Sequence, residues 1–205
     1  MHGLYLVTDR RLCGGKPLEE VIIKAVKGGV AYVQLREKDV STRSFVGEAK
    51  RVKKLLEPYK VPLIINDRVD VALACGAEGV HIGQEDVPYE IVRKLMGQKA
   101  IIGLSVEKWE DVEASQKLDV SYVGVSPVFP TPTKPDTKDA WGLEGLAKIK
   151  AFSRHSLVAI GGINESNVRE VIKAGADCIA VVSAICAAPD PEVAARNINN
   201  LMKIT

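Results

Sequence analysis

The residues of this chain best suited to chemistry stand in five short groups. Between Val125 and Trp141, the run Ser126-Pro127-Val128-Phe129-Pro130-Thr131-Pro132-Thr133-Lys134-Pro135-Asp136 sets two threonine hydroxyls and a lysine ammonium among closely spaced prolines. Proline restricts φ, so Thr131, Thr133 and Lys134 lose little freedom on binding, and hydroxyls beside a point charge suit phosphate oxygens. In Gln34-Leu35-Arg36-Glu37-Lys38 an extended backbone turns Gln34, Arg36 and Lys38 to one side, where three donors converge. Asp67 and Asp86, in oxygen-rich surroundings, offer two carboxylates to a hard cation such as Mg²⁺. Gly161-Gly162-Ile163-Asn164 and Val182-Ser183-Ala184-Ile185 offer backbone amides that can cradle a phosphate.

Each group also has a plainer reading. The proline run can be a stiff surface loop with a solvated lysine. Arg36, Glu37 and Lys38 can form local surface ion pairs, which contribute little. Asp67 and Asp86 can each cap the helix that follows, and Gly161-Gly162 can be an ordinary turn. What separates the readings is whether the fold brings the groups to one place.

Short apolar runs alternate with longer segments of helical period along the whole chain, the pattern of repeated βα units around a parallel sheet. Strands are predicted at 4–7, 32–35, 63–65, 79–82, 101–104, 122–125, 157–160 and 178–182. Helices are predicted at 17–27, 42–59, 68–75, 88–96, 107–118, 142–152, 165–174 and 189–202, with a short extra turn of helix after Val182. Pro17 and Pro88 stand where a first helical turn tolerates a missing amide. Gly28-Gly29, Gly76 and Gly175 stand where helices should stop. Eight units in 205 residues point to an α/β chain folded as a single (β/α)₈ TIM barrel, one catalytic domain over 1–205. An open doubly wound sheet has the same periodicity, but no G-x-G-x-x-G turn follows the first strand.

Composition narrows the function classes. Lys and Arg total 28 against 26 Asp and Glu with no long run of one sign, so no nucleic-acid footprint is expected and basic residues that bind anions must act locally. No stretch approaches the roughly 18 apolar residues of a membrane span, and the N-terminal residues run into a strand rather than a signal peptide. Cys13, Cys75, Cys178 and Cys186 have no C-x-x-C spacing and read as thiols, and His2, His81 and His155 have no zinc spacing. His81, inside the fourth strand, reads as a packed barrel residue. A cytoplasmic protein follows, with no nucleic acid or membrane as partner. Its oligomeric state is not legible, and a homo-oligomer stays open.

In a (β/α)₈ barrel the C-terminal strand ends share one surface, so all five groups fall on one mouth. Gln34, Arg36, Lys38 and Lys134 then form a cationic clamp for more charge than one phosphate carries, for which diphosphate is the natural candidate. A cation on Asp67 and Asp86 would bridge to it. The amides after the seventh and eighth strands form a monophosphate cradle opposite, so two phosphorylated substrates would meet between. Arg10-Arg11 and Gly14-Gly15-Lys16 read as a solvated turn rather than a lid.

In order along nearly the full chain, seven segments resemble the thiamine-phosphate synthase family. They are 5–9, 34–38, 65–67, 79–86, 126–134, 159–163 and 181–185. The resemblance implies coupling of 4-amino-2-methyl-5-hydroxymethylpyrimidine diphosphate with 4-methyl-5-(2-phosphoethyl)thiazole, giving thiamine phosphate and diphosphate with Mg²⁺ as cofactor. Carried over by motif, Gln34, Arg36, Lys38, Asn66 and Lys134 would hold the diphosphate, and Asp67 and Asp86 would ligate Mg²⁺. Ser105 would lie beside the pyrimidine and act in catalysis with Arg36, Lys38 and Lys134. Thr131, Thr133 and the backbone of Gly162, Val182 and Ser183 would hold the thiazole phosphate. Ser126 departs from the pattern, which more often has Gly there. Such a displacement is expected to be dissociative, with no protein nucleophile, which agrees with the lack of a Ser-His-Asp or Cys-His arrangement. The rivals are a thiazole tautomerase on a related barrel and a non-catalytic phosphate-binding barrel; the first needs no diphosphate clamp, and the second does not need Asp67, Asp86 and Lys134 together.

Overall fold

The computed structural model describes residues 1–131 and 139–203. Eight parallel strands are joined in sequence order into a closed barrel: β1 (Gly3–Val7), β2 (Val30–Leu35), β3 (Leu63–Asn66), β4 (Gly79–Ile82), β5 (Ile101–Val106), β6 (Tyr122–Val125), β7 (Leu157–Ala159) and β8 (Cys178–Val181). β8 pairs back with β1 through Gly3 to Cys178 and Leu6 to Val181, which removes the open doubly wound alternative. The strands are short and apolar because both their faces are covered, one by helices and one by the lumen.

Around the barrel run α1 (Leu18–Lys27), α2 (Thr42–Leu56), α3 (Val69–Cys75), α4 (Tyr89–Met96), α5 (Trp109–Ser115), α6 (Gly142–Phe152), α7 (Val168–Lys173) and α9 (Pro191–Lys203). The four-residue α8 (Ser183–Cys186) follows β8, where the extra turn was expected. α2 ends at Leu56 and passes into a 3₁₀ turn at Glu57–Tyr59, and two further helices are much shorter than their periodicity predicts. α5 starts only at Trp109 because Lys108 is extended and Asp111 Oδ2 takes up the Glu107 and Lys108 amides; its end is turned in by Gln116, whose side chain bonds back to Val112 O. α7 is delayed to Val168 because Asn164 and Asn167 form side-chain turns, with Ser166 N donating to Asn164 Oδ1 and Asn164 N donating to Asn167 Oδ1.

The core has two parts. A shell of aliphatic side chains packs between the strands and the helices. Inside the barrel, Tyr5, Val7, Ile64, Tyr122, Val158, Cys178 and Ala180 fill the lumen. Among the described residues no helix is long and apolar enough to cross a membrane. All four cysteines are free thiols; Cys178 and Cys186 are pushed up to about 12 by burial and so stay protonated.

Candidate active site

The C-terminal ends of the strands surround one cavity of about 680 Å³. It is lined from the β2 to β5 side by Gln34, Arg36, Lys38, Asn66, Asp67, Asp86 and Ser105, and from the β6 to β8 side by Thr131, Gly162, Val182 and Ser183. These residues come from seven separate loops and strand ends, and the fold brings all of them to one mouth. Thr133 and Lys134 lie outside the described residues.

The alternation expected after β2 is present. Arg36 turns to the mouth, 3.9 Å from Asp9 Oδ2, while its backbone amide donates to the buried Thr8 Oγ1 at 3.0 Å. Lys38 reaches across to Asp67 Oδ2 at 2.6 Å. Glu37, between them, points away and pairs with Arg10, which also pairs with the buried Glu48 of α2. The segment that reads as a solvated turn is thus a 3₁₀ turn at Arg10–Cys13 whose first arginine braces the back of the clamp. Gln34 differs from expectation. It is only 4% exposed, and its Nε2 donates to Tyr5 Oη inside the lumen, so it forms floor rather than rim.

Neither aspartate caps a helix. α3 and α4 have no side-chain cap, Asp67 has a left-handed φ of 60°, and Asp86 Oδ2 accepts from Gly83 N at 2.7 Å. Burial raises the Asp86 carboxyl above its ordinary value, and the neighbouring Asp67 carboxylate raises it further. Two carboxylates facing each other this closely form a site that a cation relieves, and Lys38 occupies that role on Asp67. Among the described residues no cluster of three or more His, Cys, Asp or Glu forms a full metal cage. A pair of carboxylates whose remaining positions are left to phosphate oxygens and water is the donor set Mg²⁺ prefers, so these residues fit that ion.

Opposite, the loops after β6 and β7 continue their pairing beyond the strands: Val128 N donates to Ile160 O and Phe129 N to Gly161 O. Gly161 and Gly162 have φ of 103° and 65°, and a Cβ on Gly162 would fall 2.8 Å from that of Phe129. Only glycine lets the two loops approach, with Phe129 and Pro130 against Gly162, whose carbonyl is pinned by Asn167 Nδ2 at 2.9 Å. In α8 the first intrahelical donors are Ile185 and Cys186, both to Val182 O, so the Ser183 and Ala184 amides precede the hydrogen-bonded ladder.

Between these sides lies a feature that sequence reasoning saw only in part. His81 is not simply packed: it lines the cavity, with Nε2 2.9 Å from Ser105 Oγ and Nδ1 2.9 Å from Tyr122 Oη. Its ring stacks on Tyr122 at a centroid distance of 5.5 Å. The signal was present as a histidine on β4 and a tyrosine on β6 with glycines at 103 and 124, where side chains would crowd them: Gly103 faces both rings and Gly124 faces His81.

Known proteins share this fold and much of this sequence. The thiamine monophosphate synthase family model matches residues 4–185. The thiamine-phosphate synthase of Albidiferax ferrireducens is 55% identical over 199 residues, covering 97% of this chain and 91% of the relative. That of Leptospira biflexa is 52% identical over 204 residues, covering 98% and 97%. Among solved structures, thiamine phosphate pyrophosphorylase from Pyrococcus furiosus superimposes with a TM-score of 0.89 at 39% identity, covering 98% of this chain and 95% of that one. A family model that matches most of its length and relatives above half identity show its kinship: the chain belongs to the thiamine monophosphate synthase family and is a transferase of that family.

Proposed function

We propose that this enzyme joins 4-amino-2-methyl-5-hydroxymethylpyrimidine diphosphate to 4-methyl-5-(2-phosphoethyl)thiazole, releasing diphosphate and thiamine phosphate. The observation that carries the reading is the division of one cavity: ionised side chains on β2 to β4 face glycine and helix-start amides on β7 and β8. A diphosphate needs the first and a monophosphate is satisfied by the second, and about 680 Å³ lies within the range of small-molecule sites. The tautomerase reading leaves the clamp without a task.

In the proposed mechanism Arg36, Lys38 and Asn66, with Lys134 from outside the described residues, grip the diphosphate. Asp67 and Asp86 would hold Mg²⁺, which when bound supplies charge neutralisation to the leaving group. As the bond from the pyrimidine methylene carbon to the diphosphate oxygen lengthens, negative charge grows on that oxygen, and Arg36 and Lys38 stabilise it where it develops. The aminopyrimidine ring itself delocalises the positive charge left behind. Thr131 and Thr133, with the amides of Gly162, Val182 and Ser183, anchor the thiazole phosphate so that the thiazole nitrogen stands in line with the departing bond. No side chain of the protein forms a bond to carbon, so the protein's part is positioning and electrostatics. The pyrimidine ring rests on the lumen floor beside Ser105.

The test is diphosphate release by the purified protein with each substrate alone and with both, in the presence and absence of Mg²⁺. Release is expected only with both substrates and Mg²⁺. Isomerisation of the thiazole without coupling, or tight binding of thiazole phosphate without turnover, overturns the reading.

A further inference from the structure

A single line of side chains crosses the lumen beneath the charged mouth. Gln34 Nε2 donates to Tyr5 Oη at 2.9 Å, Tyr5 Oη lies 3.0 Å from Tyr122 Oη, and Tyr122 Oη lies 2.9 Å from His81 Nδ1. His81 Nε2 then lies 2.9 Å from Ser105 Oγ, at the cavity wall. Five residues from five strands are joined end to end. The space is kept by glycines: a Cβ on Gly103 would lie 2.1 Å from Tyr122 Cζ and 2.6 Å from His81 Nδ1, and one on Gly124 would lie 3.0 Å from His81 Cε1.

Such a line has a direction, and its buried end sets it. Tyr5 and Tyr122 are 1% and 0% exposed, and burial raises both phenols, so each stays neutral with one hydrogen to give. An amide nitrogen only donates, so the Tyr5 oxygen accepts from Gln34. The hydrogen of Tyr5 has one acceptor among the described residues, the Tyr122 oxygen. Tyr122, having received there, turns its own hydrogen to His81 Nδ1. A ring nitrogen that accepts carries no hydrogen, so neutral His81 bears its proton on Nε2 and donates to Ser105 Oγ. Ser105 has then accepted within the protein, and its hydroxyl hydrogen is left for the cavity. With the Gln34 nitrogen turned to Tyr5, the opposite direction would bury the Tyr5 hydrogen without an acceptor, which carries a desolvation penalty.

We propose that Tyr5 and Tyr122 are positioning residues that hold His81 as the Nε2–H tautomer and thereby make Ser105 a hydrogen-bond donor to a substrate ring. The ring that sits there must present a lone pair, as an aminopyrimidine nitrogen does; an N–H at the same point meets a donor with a donor. The identity of that ring rests on the function proposed above, whereas the tautomer is a property of the free protein.

The experiment is ¹⁵N-resolved NMR of His81 in the free wild-type protein near pH 7.5, followed by steady-state kinetics of Tyr122→Phe and Tyr5→Phe. Wild type should show the Nε2–H pattern. An Nδ1–H pattern, or an imidazolium, overturns the inference, and that result needs neither a variant nor a substrate. Tyr122→Phe keeps the ring stack and should convert the pattern to a mixture of tautomers, while kcat falls about tenfold and KM for the thiazole phosphate stays within about twofold. Tyr5→Phe, one link further away, should act in the same sense and less. A lowered Tm with an unchanged His81 pattern and unchanged kcat in Tyr122→Phe would show a merely structural role. If wild type fails to couple the two substrates, the function falls and the NMR result still stands on its own.

Discussion

In the proposed reaction the two sides of the cavity mouth receive anions by different means. On β2, β3 and β4 the working groups are ionised side chains, with Arg36, Lys38, Asp67 and Asp86 already engaged in a web of opposite charge. On β7 and β8 they are peptide groups held by left-handed glycines and by the start of a four-residue helix. In the proposed reaction charge separates only on the first side, whereas a phosphate merely rests on the second. Side-chain charge is therefore placed where the transition state differs from the ground state, and backbone dipoles suffice where it does not.

The comparison breaks most visibly at Asp67. Asp67→Asn should reduce Mg²⁺-dependent turnover by about 10³-fold. Asparagine tolerates the left-handed φ of 60° at this position, and its neutral amide relieves the like charge on Asp86, so Tm should not fall. Parallel kinetics and thermal melts check both halves; a turnover loss explained by unfolding would remove the charged side from the scheme.

A smaller and different effect is expected at Gly162. Gly162→Ala forces a side chain into a left-handed φ of 65° and against Phe129, costing about 1–3 kcal/mol of stability. It should raise KM for the thiazole phosphate about tenfold and KM for the pyrimidine diphosphate markedly less, because the displaced loop after β6 carries Thr131 and Thr133 but only one residue of the clamp, Lys134, while Arg36 and Lys38 follow β2. Equal loss for both substrates would mean that the two sides are not separable.

The smallest effect sharpens the contrast. Ser183→Ala removes a side chain and keeps the amide, so kcat/KM should change by less than about threefold. A loss comparable to that of Asp67→Asn would show that the β8 side also works through side chains.

How much of this was legible in the sequence follows from what each feature depends on. The strands could be read because residues such as Leu63, Ile64 and Ile65 are buried on both faces and give unbroken apolar runs. The mouth could be read because the fold class alone sends strand-end residues to one surface, wherever they stand along the chain. The line through Tyr5, Tyr122 and His81 could not, since it depends on which inward positions of β1, β4 and β6 lie at the same height, a matter of register and shear rather than pattern. For the same reason Gln34 was expected on the rim: alternation gives the side to which it points, not its depth. The late starts of α5 and α7 depend on Asp111, Asn164 and Asn167 turning back on the backbone, local competition that helical periodicity does not register.

Closure of the barrel through β8 and β1 has a consequence for how the protein comes into being. β1, the earliest of the eight barrel strands to be made, finds its second neighbour only in β8, so Leu6 waits for Val181. A ribosome therefore carries seven strands of an incomplete cylinder, with both unpaired edges open, until the eighth emerges. The amides of β8 and α8 reach the mouth in that same last step, so the catalyst becomes whole only when the cylinder does.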